Sequence, residues 1–387
     1  MILDGRRIAV GLAGFCTFLN LYMPQALLPA LAQYFAVGAA EISMIITSST
    51  LAIALTAPFT GALADLVGRK RVITAAMVAL VVPTVMVAMA PDVPALIVWR
   101  FIQGLLLPPI FVVIIAYVGD EWPPADVAAI AGLYIAGASL GGFCGRFVTG
   151  ILADLVGWRS AFLAVAAMTL VSAAAVVWLL PREQKFVRSE GVAAAARHML
   201  AHLHNPQLLA TYAVGFGVLF SFMAVFTYVG FHLAAAPYHF SPSLLGAIFI
   251  TYLVGTVITP MAGRAIGRFG RRGFTIATIA VWMCGALLTL APPVAAIIVG
   301  LTLCAACGML AQAISTGYVA ATAKEARSSA VGLYVTSFYV GGAAGALLPG
   351  LTWTRGGWPA AVAMVVAVLA VMALIVAVAW RRPAESG

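Results

Sequence analysis

Gly61-Ala62-Leu63-Ala64-Asp65-Leu66-Val67-Gly68-Arg69-Lys70-Arg71 closes one long apolar run and opens the next. A degenerate copy, Gly263-Arg264 followed by Gly267 and Gly270-Arg271-Arg272, stands further on, with Pro260 placed before it as Pro58 is before the first. Working outward from this loop, the echo continues. Gly132-Leu133-Tyr134 with Gly141-Gly142 returns as Gly332-Leu333-Tyr334 with Gly341-Gly342, and Gly157-Trp158 returns as Gly357-Trp358. One half-molecule has been duplicated. In a membrane chain, two parallel halves face each other across a substrate path.

Composition says why the setting is a membrane. Of 387 residues, 64% are hydrophobic and 9% charged, and the mean hydropathy is +1.08. A soluble domain carries about 25% charged residues, so lipid must be the solvent here. A crossing needs roughly 20 apolar residues. Twelve candidates satisfy this, at 8–35, 43–64, 72–90, 95–117, 127–153, 159–180, 208–232, 242–263, 274–291, 294–319, 328–350 and 359–380. These runs are continuously apolar rather than alternating, which excludes a closed β-barrel. The fold class is all-α, a polytopic bundle of two six-helix halves. Residues 1–180 form the N-terminal bundle and 208–387 the C-terminal one. The polar stretch 181–207 between them is a linker with a short surface helix over 191–204.

The formal charge of +9 invites a nucleic-acid reading, but its distribution points to lipid. Of 21 Lys and Arg, 17 fall in one alternate set of loops and only Arg159 and Arg355 in the other. That asymmetry puts both termini and the linker in the cytoplasm. The first apolar run, behind Arg6 and Arg7, has no small-residue cleavage site and reads as an uncleaved span. All five cysteines lie in spans, and Cys304-x-x-Cys307 reads as two small apolar side chains. His198, His202 and His204 read as a solvated helix face rather than a metal grip.

The 61–71 loop resembles the Gly-x-Leu-x-Asp-x-x-Gly-Arg-[Lys/Arg]-[Lys/Arg] pattern of the major facilitator superfamily. The copy ending in Arg271-Arg272 sits where that family has its second one. Gly61 is expected at a close helix contact, and Gly68 at a tight turn. The resemblance implies that Asp65, with Arg69, latches the cytoplasmic side by facing the start of the eleventh span near Ser328-Ser329. Arg100-Phe-Ile-Gln103-Gly104 is similar to the family's Arg-x-x-Gln-Gly, which takes part in proton transfer in proton-coupled members. Gly137-x-x-x-Gly141-Gly142-x-x-Gly145-Arg146 is similar to the antiporter pattern, except that Gly142 stands where proline is expected. With Tyr22-Met-Pro24-Gln25, the chain looks like the YnfM-like branch of bacterial inner-membrane efflux permeases.

Gly137, Gly141 and Gly145 form one stripe, repeated at Gly341 and Gly345. Static packing explains one stripe; two matching smooth faces are what rocking halves need. Pro24, Pro29, Pro58 and Pro260 are expected to kink their helices. Arg100 and Arg146 are the only basic residues within spans. Each costs about 2.5–3.5 kcal/mol at mid-helix, which makes them functional suspects, the alternative being snorkelling to the outer surface. No Asp or Glu lies clearly inside a span. A cationic cargo therefore lacks its usual anchor, and a neutral or anionic solute fits better.

The candidate binding or proton-coupling residues are Arg100, Arg146, Gln103, Asn20, Tyr22, Gln25, Tyr228, His232 and Asp154. The candidate latch is Gly61, Asp65, Gly68, Arg69 and Arg271. Phe220, Phe226, Thr227, Tyr252 and Gln312 are further cavity candidates, with packing as the alternative. The expected function is secondary transport of a small organic solute by alternating access, as proton-driven efflux. The alternative is an anion or metabolite uniporter or exchanger without protons, and a remote one is a membrane enzyme or receptor. No nucleotide-binding loop, metal or cofactor is expected. The expected partners are the solute, protons and the bilayer, with no nucleic acid, and the chain is expected to act as a monomer.

Overall fold

A computed structural model describes residues 4–184, 197, 199–323 and 326–380, apart from the side chains of 327 and 328. Lys185, Arg188, His198, Lys324, Arg381, Arg382 and most of the expected surface helix lie outside them. Every element among the described residues is helical. The helices are α1 Gly5–Tyr22, α2 Leu28–Tyr34, α3 Ala39–Val67, α4 Arg69–Met89, α5 Val93–Leu106, α6 Pro108–Glu121, α7 Pro124–Val156 and α8 Trp158–Leu179. They continue as α9 Pro206–Ala234, α10 Pro242–Ile248, α11 Thr251–Ile258, α12 Ala262–Phe269, α13 Arg271–Leu288, α14 Val294–Thr322 and α15 Arg327–Ala379. Among the described residues, ten stretches are long and apolar enough to cross a membrane. With α15 divided at Gly357, and α13 added, the expected twelve are present.

The polar residues at helix ends explain where the helices begin. Asp4 accepts the Arg7 N–H at 2.8 Å and Asp92 the Ala95 N–H at 2.8 Å, satisfying donors that a first turn leaves open. Four glycines reverse the chain between consecutive helices. Gly68, Gly157, Gly270 and Gly357 have φ of 104°, 86°, 71° and 52°, values that a side chain rarely tolerates. They are the turns after the second, fifth, eighth and eleventh spans, so each triplet of helices bends at the same place.

Prolines break some spans and not others. Pro24 precedes a 3-10 turn at Gln25–Leu27, and Pro260 lies in another at Thr259–Met261. Pro29 opens α2. Pro58, expected to kink its helix, sits inside the continuous α3.

The chain forms two compact units, Met1–Ala193 with Gly230–Phe249, and Ala194–Val229 with Ile250–Gly387. The glycine stripes lie inside them. A Cβ at Gly137 or Gly141 would collide with the carbonyl oxygens of Gly11 or Phe15, and one at Gly145 would stand 2.6 Å from that of Leu19. Here α7 lies backbone to backbone on α1. In the second unit Gly341 and Gly345 meet the carbonyls of Phe216 and Phe220 on α9 in the same way. The expectation of smooth faces between rocking halves is thus corrected: these faces are consumed in static packing within each unit. Gly141→Leu is expected to cost about 1–3 kcal/mol or more through overpacking, read as a fall in thermal midpoint in detergent. An unchanged midpoint would show that α7 can stand away from α1.

Candidate functional site

Arg100 and Arg146 are 0% and 1% exposed, the only charged residues among the described ones buried as whole residues; the Glu121 carboxylate, with its side chain 5% exposed, lies at the end of α6 beside Arg6. Neither arginine snorkels, and no described Asp or Glu is buried in the interior of a span. The two arginines belong to different constellations of the first unit.

Arg100 sits where α1 runs out. Pro24 has no N–H to offer the Asn20 carbonyl, and the last carbonyls of any helix lack partners. The guanidinium of Arg100 supplies them, donating from Nη1 to Asn20 O and from Nη2 to Leu21 O, both at 2.8 Å. Its Nε donates to Ile45 O at 3.2 Å, and Nη1 also to Gln103 Oε1 at 2.8 Å. From there a chain of side chains continues. Gln103 Nε2 donates to Thr84 Oγ1, Thr84 Oγ1 to Asn20 Oδ1, and Asn20 Nδ2 to Thr169 Oγ1, each at 2.8 Å. Every member is 0% exposed. The cluster ties α1, α3, α4, α5 and α8 together, with no carboxylate at Arg100 among the described residues. A fully satisfied network in a low-dielectric interior is rigid.

Arg146 is held differently. Its Nε donates to Gln25 Oε1 and its Nη1 to Gly142 O, both at 2.8 Å. The Tyr22 ring lies 3.8 Å from Cζ, and the Phe249 ring 4.3 Å. These are cation–π contacts, which gain strength when desolvated. Gly142 lies beside the guanidinium, where a Cβ would stand in ordinary contact, 3.4 Å from Nη1 and 3.5 Å from the Tyr22 ring. Thr149 donates to Met23 O at 2.9 Å, fixing the broken end of α1 against α7. An aromatic-faced guanidinium can receive a carboxylate, phosphate or carbonyl oxygen edge-on.

The other expected residues disperse. Tyr228 belongs to the second unit, where its hydroxyl donates to Ala346 O at 2.7 Å. Phe226 and Tyr252 pack at 4.6 Å, Phe220 and Thr227 are buried, and Gln312 is exposed. The His232 ring lies 5.2 Å from that of Tyr238. Asp154, exposed at the end of α7, accepts hydrogen bonds from the Ser243 N–H at 2.9 Å and from the Ser243 hydroxyl.

In the 61–71 loop, Arg69 bridges two acids, 3.7 Å from Asp65 and 2.5 Å from Asp120. Glu183 accepts the Lys70 N–H at 3.2 Å, and its carboxylate fills the space a Cβ at Gly68 would need. Sequence reasoning named neither Asp120 nor Glu183 as a site residue; Asp120 lies in the acidic stretch 119–126 and Glu183 in the polar stretch that follows the sixth span. Gly61 is corrected: a Cβ there meets nothing within 4 Å, so it marks no close contact in this structure. Arg271 lies over the Tyr318 ring at 5.5 Å. His202 Nε2 lies 3.3 Å from Ala326 O.

Comparison with known proteins agrees with this architecture. A sequence model of the Major Facilitator Superfamily matches residues 10–236 and 231–387. The chain is 32% identical to the inner membrane transport protein YnfM of Escherichia coli strain K12 over 377 residues, covering 97% of this chain and 90% of YnfM. In fold it is similar to the nucleoside transporter NupG (D323A mutant), with a TM-score of 0.83 at 14% identity over 97% of this chain and all of that one. It is also similar to the human organic anion transporter MFSD10, with a TM-score of 0.73 at 18% identity over 96% and 99%.

Proposed function

We propose, for a chain that belongs to the major facilitator superfamily, that it exports a small anionic or neutral organic solute across the inner membrane by alternating access, as a monomer with cytoplasmic termini. The observation that carries the cargo's sign is the charge inventory of the buried residues: two arginines and no described carboxylate. A lipophilic cation would meet two like charges there, with no buried carboxylate among the described residues in the span interiors to offset them.

In this reading Arg146 is the solute-binding group, with Tyr22 and Gln25 orienting it. Arg100, with Asn20 and Gln103, holds the first unit in the shape that presents it. Asp65, Gly68 and Arg69, together with Gly61 and Arg271, act as the cytoplasmic latch. Efflux in exchange for protons follows from the likeness of Arg100-Phe-Ile-Gln103-Gly104 to the family pattern, with Asp154 and His232 as the remaining carriers. Exchange without protons is the second reading, favoured by the lack of a buried acid among the described residues and by the engagement of Asp154 with Ser243.

Purified protein in detergent, screened for thermal stabilisation against organic anions, neutral solutes and cationic dyes, tests the first claim, because ligands that bind the folded state raise its apparent stability. Anions or neutral solutes are expected to stabilise, and stabilisation by lipophilic cations alone would refute the charge argument. Proteoliposomes with an internal pH dye separate the two coupling modes: solute addition moves protons in the first and not in the second.

A further inference from the structure

The octapeptide Gly61-Ala-Leu-Ala-Asp65-Leu-Val-Gly68 has a second copy in the same half, Gly150-Ile-Leu-Ala-Asp154-Leu-Val-Gly157, differing only at its second position. The two copies also end alike. Each finishes a long helix, α3 or α7, at a glycine of positive φ, 104° or 86°, and the next residue starts the following helix. Three crossings separate them, and spans alternate in direction, so the second copy lies on the opposite membrane face from the first.

At this outer copy the aspartate has a defined partner. Asp154 accepts from both the N–H and the hydroxyl of Ser243, and the same hydroxyl lies 3.4 Å from Gly150 O. Ser243 is the second residue of α10, which lies bare against α7. A Cβ at Gly246 would stand 2.6 Å from Arg146 O and 3.0 Å from Phe147 Cα, and one at Gly150 would collide with Pro242 O. Phe249 follows α10 directly and lies over the Arg146 guanidinium. By sequence α10 belongs to the second repeat. The residues up to Val229 and from Ile250 onward pack with the second unit, whereas Gly230–Phe249 packs with the first.

We propose that Asp154 is a positioning residue for transport: it seats α10 on α7, which lays Phe249 over Arg146, and its release from Ser243 uncovers that arginine. Two features make the contact reversible. The carboxylate is exposed, so water replaces Ser243 at small net cost. The glycine faces leave few interdigitated side chains to separate, in contrast to the sealed cluster at Arg100. The consequence for transport rests on Arg146 binding the solute; the docking itself does not.

Labelling with a membrane-impermeant maleimide, applied from outside to intact cells, tests it. The reporter is Leu245→Cys, at a position 2% exposed on α10, in a background with the five native cysteines replaced; Ile248→Cys, at a position 5% exposed, is a second reporter. Ala173→Cys on α8, at a position 1% exposed, is the control. Asp154→Ala is expected to raise labelling at 245 and 248 by about tenfold, the scale of one hydrogen bond to a charged group. Asp154→Asn, which keeps an acceptor, is expected to give a smaller rise, and labelling at 173 is expected to stay constant. Unchanged labelling at both reporters, or an equal rise at 173, would overturn the proposal. The readout is labelling rather than transport, and the same series with Arg146→Ala added is expected to give the same rise, which separates the docking from cargo binding at Arg146.

Discussion

Replacing Arg100 by methionine is expected to destabilise the first unit by about 3–5 kcal/mol, the sum of several buried acceptors losing donors at once. Methionine restores most of the volume and none of the hydrogen bonds. The carbonyls of Asn20, Leu21 and Ile45 and the amide oxygen of Gln103 are then stranded where exposure is nil. Asn20 O has no recourse, since Pro24 cannot donate to it. In lipid, water is not at hand to compensate. A thermal-denaturation series in detergent reads the effect, with Gln103→Leu expected to cost less, about 1–2 kcal/mol. If R100M melts with the parent protein, the cluster is not what holds α1, α3, α4, α5 and α8 together.

Replacing Arg146 has the opposite profile. Arg146→Ala is expected to abolish solute flux in proteoliposomes, by about 100-fold or more, the equivalent of losing a charge-assisted hydrogen bond of some 3 kcal/mol to the solute. Its thermal midpoint is expected to fall far less than that of R100M. Fewer backbone acceptors depend on it: the Gly142 carbonyl is one, and Gln25 presents a side chain that can turn elsewhere. Arg146→Lys separates charge from shape. Lysine keeps the cation but lacks the planar face that rests between Tyr22 and Phe249 and the Nε–H that reaches Gln25. It is expected to recover only a small part of the flux. Full transport by R146K would reduce the residue to a point charge, and full transport by R146A would remove it from the mechanism.

The pair shows how far residues alone can be read. A charge inside an apolar run marks itself, so both arginines stand out in the sequence. Their division into a sealed hub and an aromatic-faced group does not, because it depends on which neighbours the packed helices turn toward each guanidinium. Thr84 and Thr169 complete the Arg100 cluster from α4 and α8, and nothing local distinguishes them from other threonines in apolar spans. Asp154 is an intermediate case. Its octapeptide is legible as a copy, whereas Ser243, 89 residues further on, becomes its partner only through the packing of α10 on α7.

What the sequence determined by itself is the membrane-spanning all-helical fold, the duplication and the tight turn at Gly68. Each follows from local physics: apolar length against bilayer thickness, and a φ that glycine adopts far more readily than other residues. Tertiary structure decided the rest. It turned the glycine stripes inward onto α1 and α9, left Gly61 without a close neighbour, passed Pro58 through an unbroken helix and parted the two arginines. In lipid, a helix satisfies its own backbone whichever way it is rotated. The rotation, and with it every contact between side chains on different helices, is set only when the helices pack against one another.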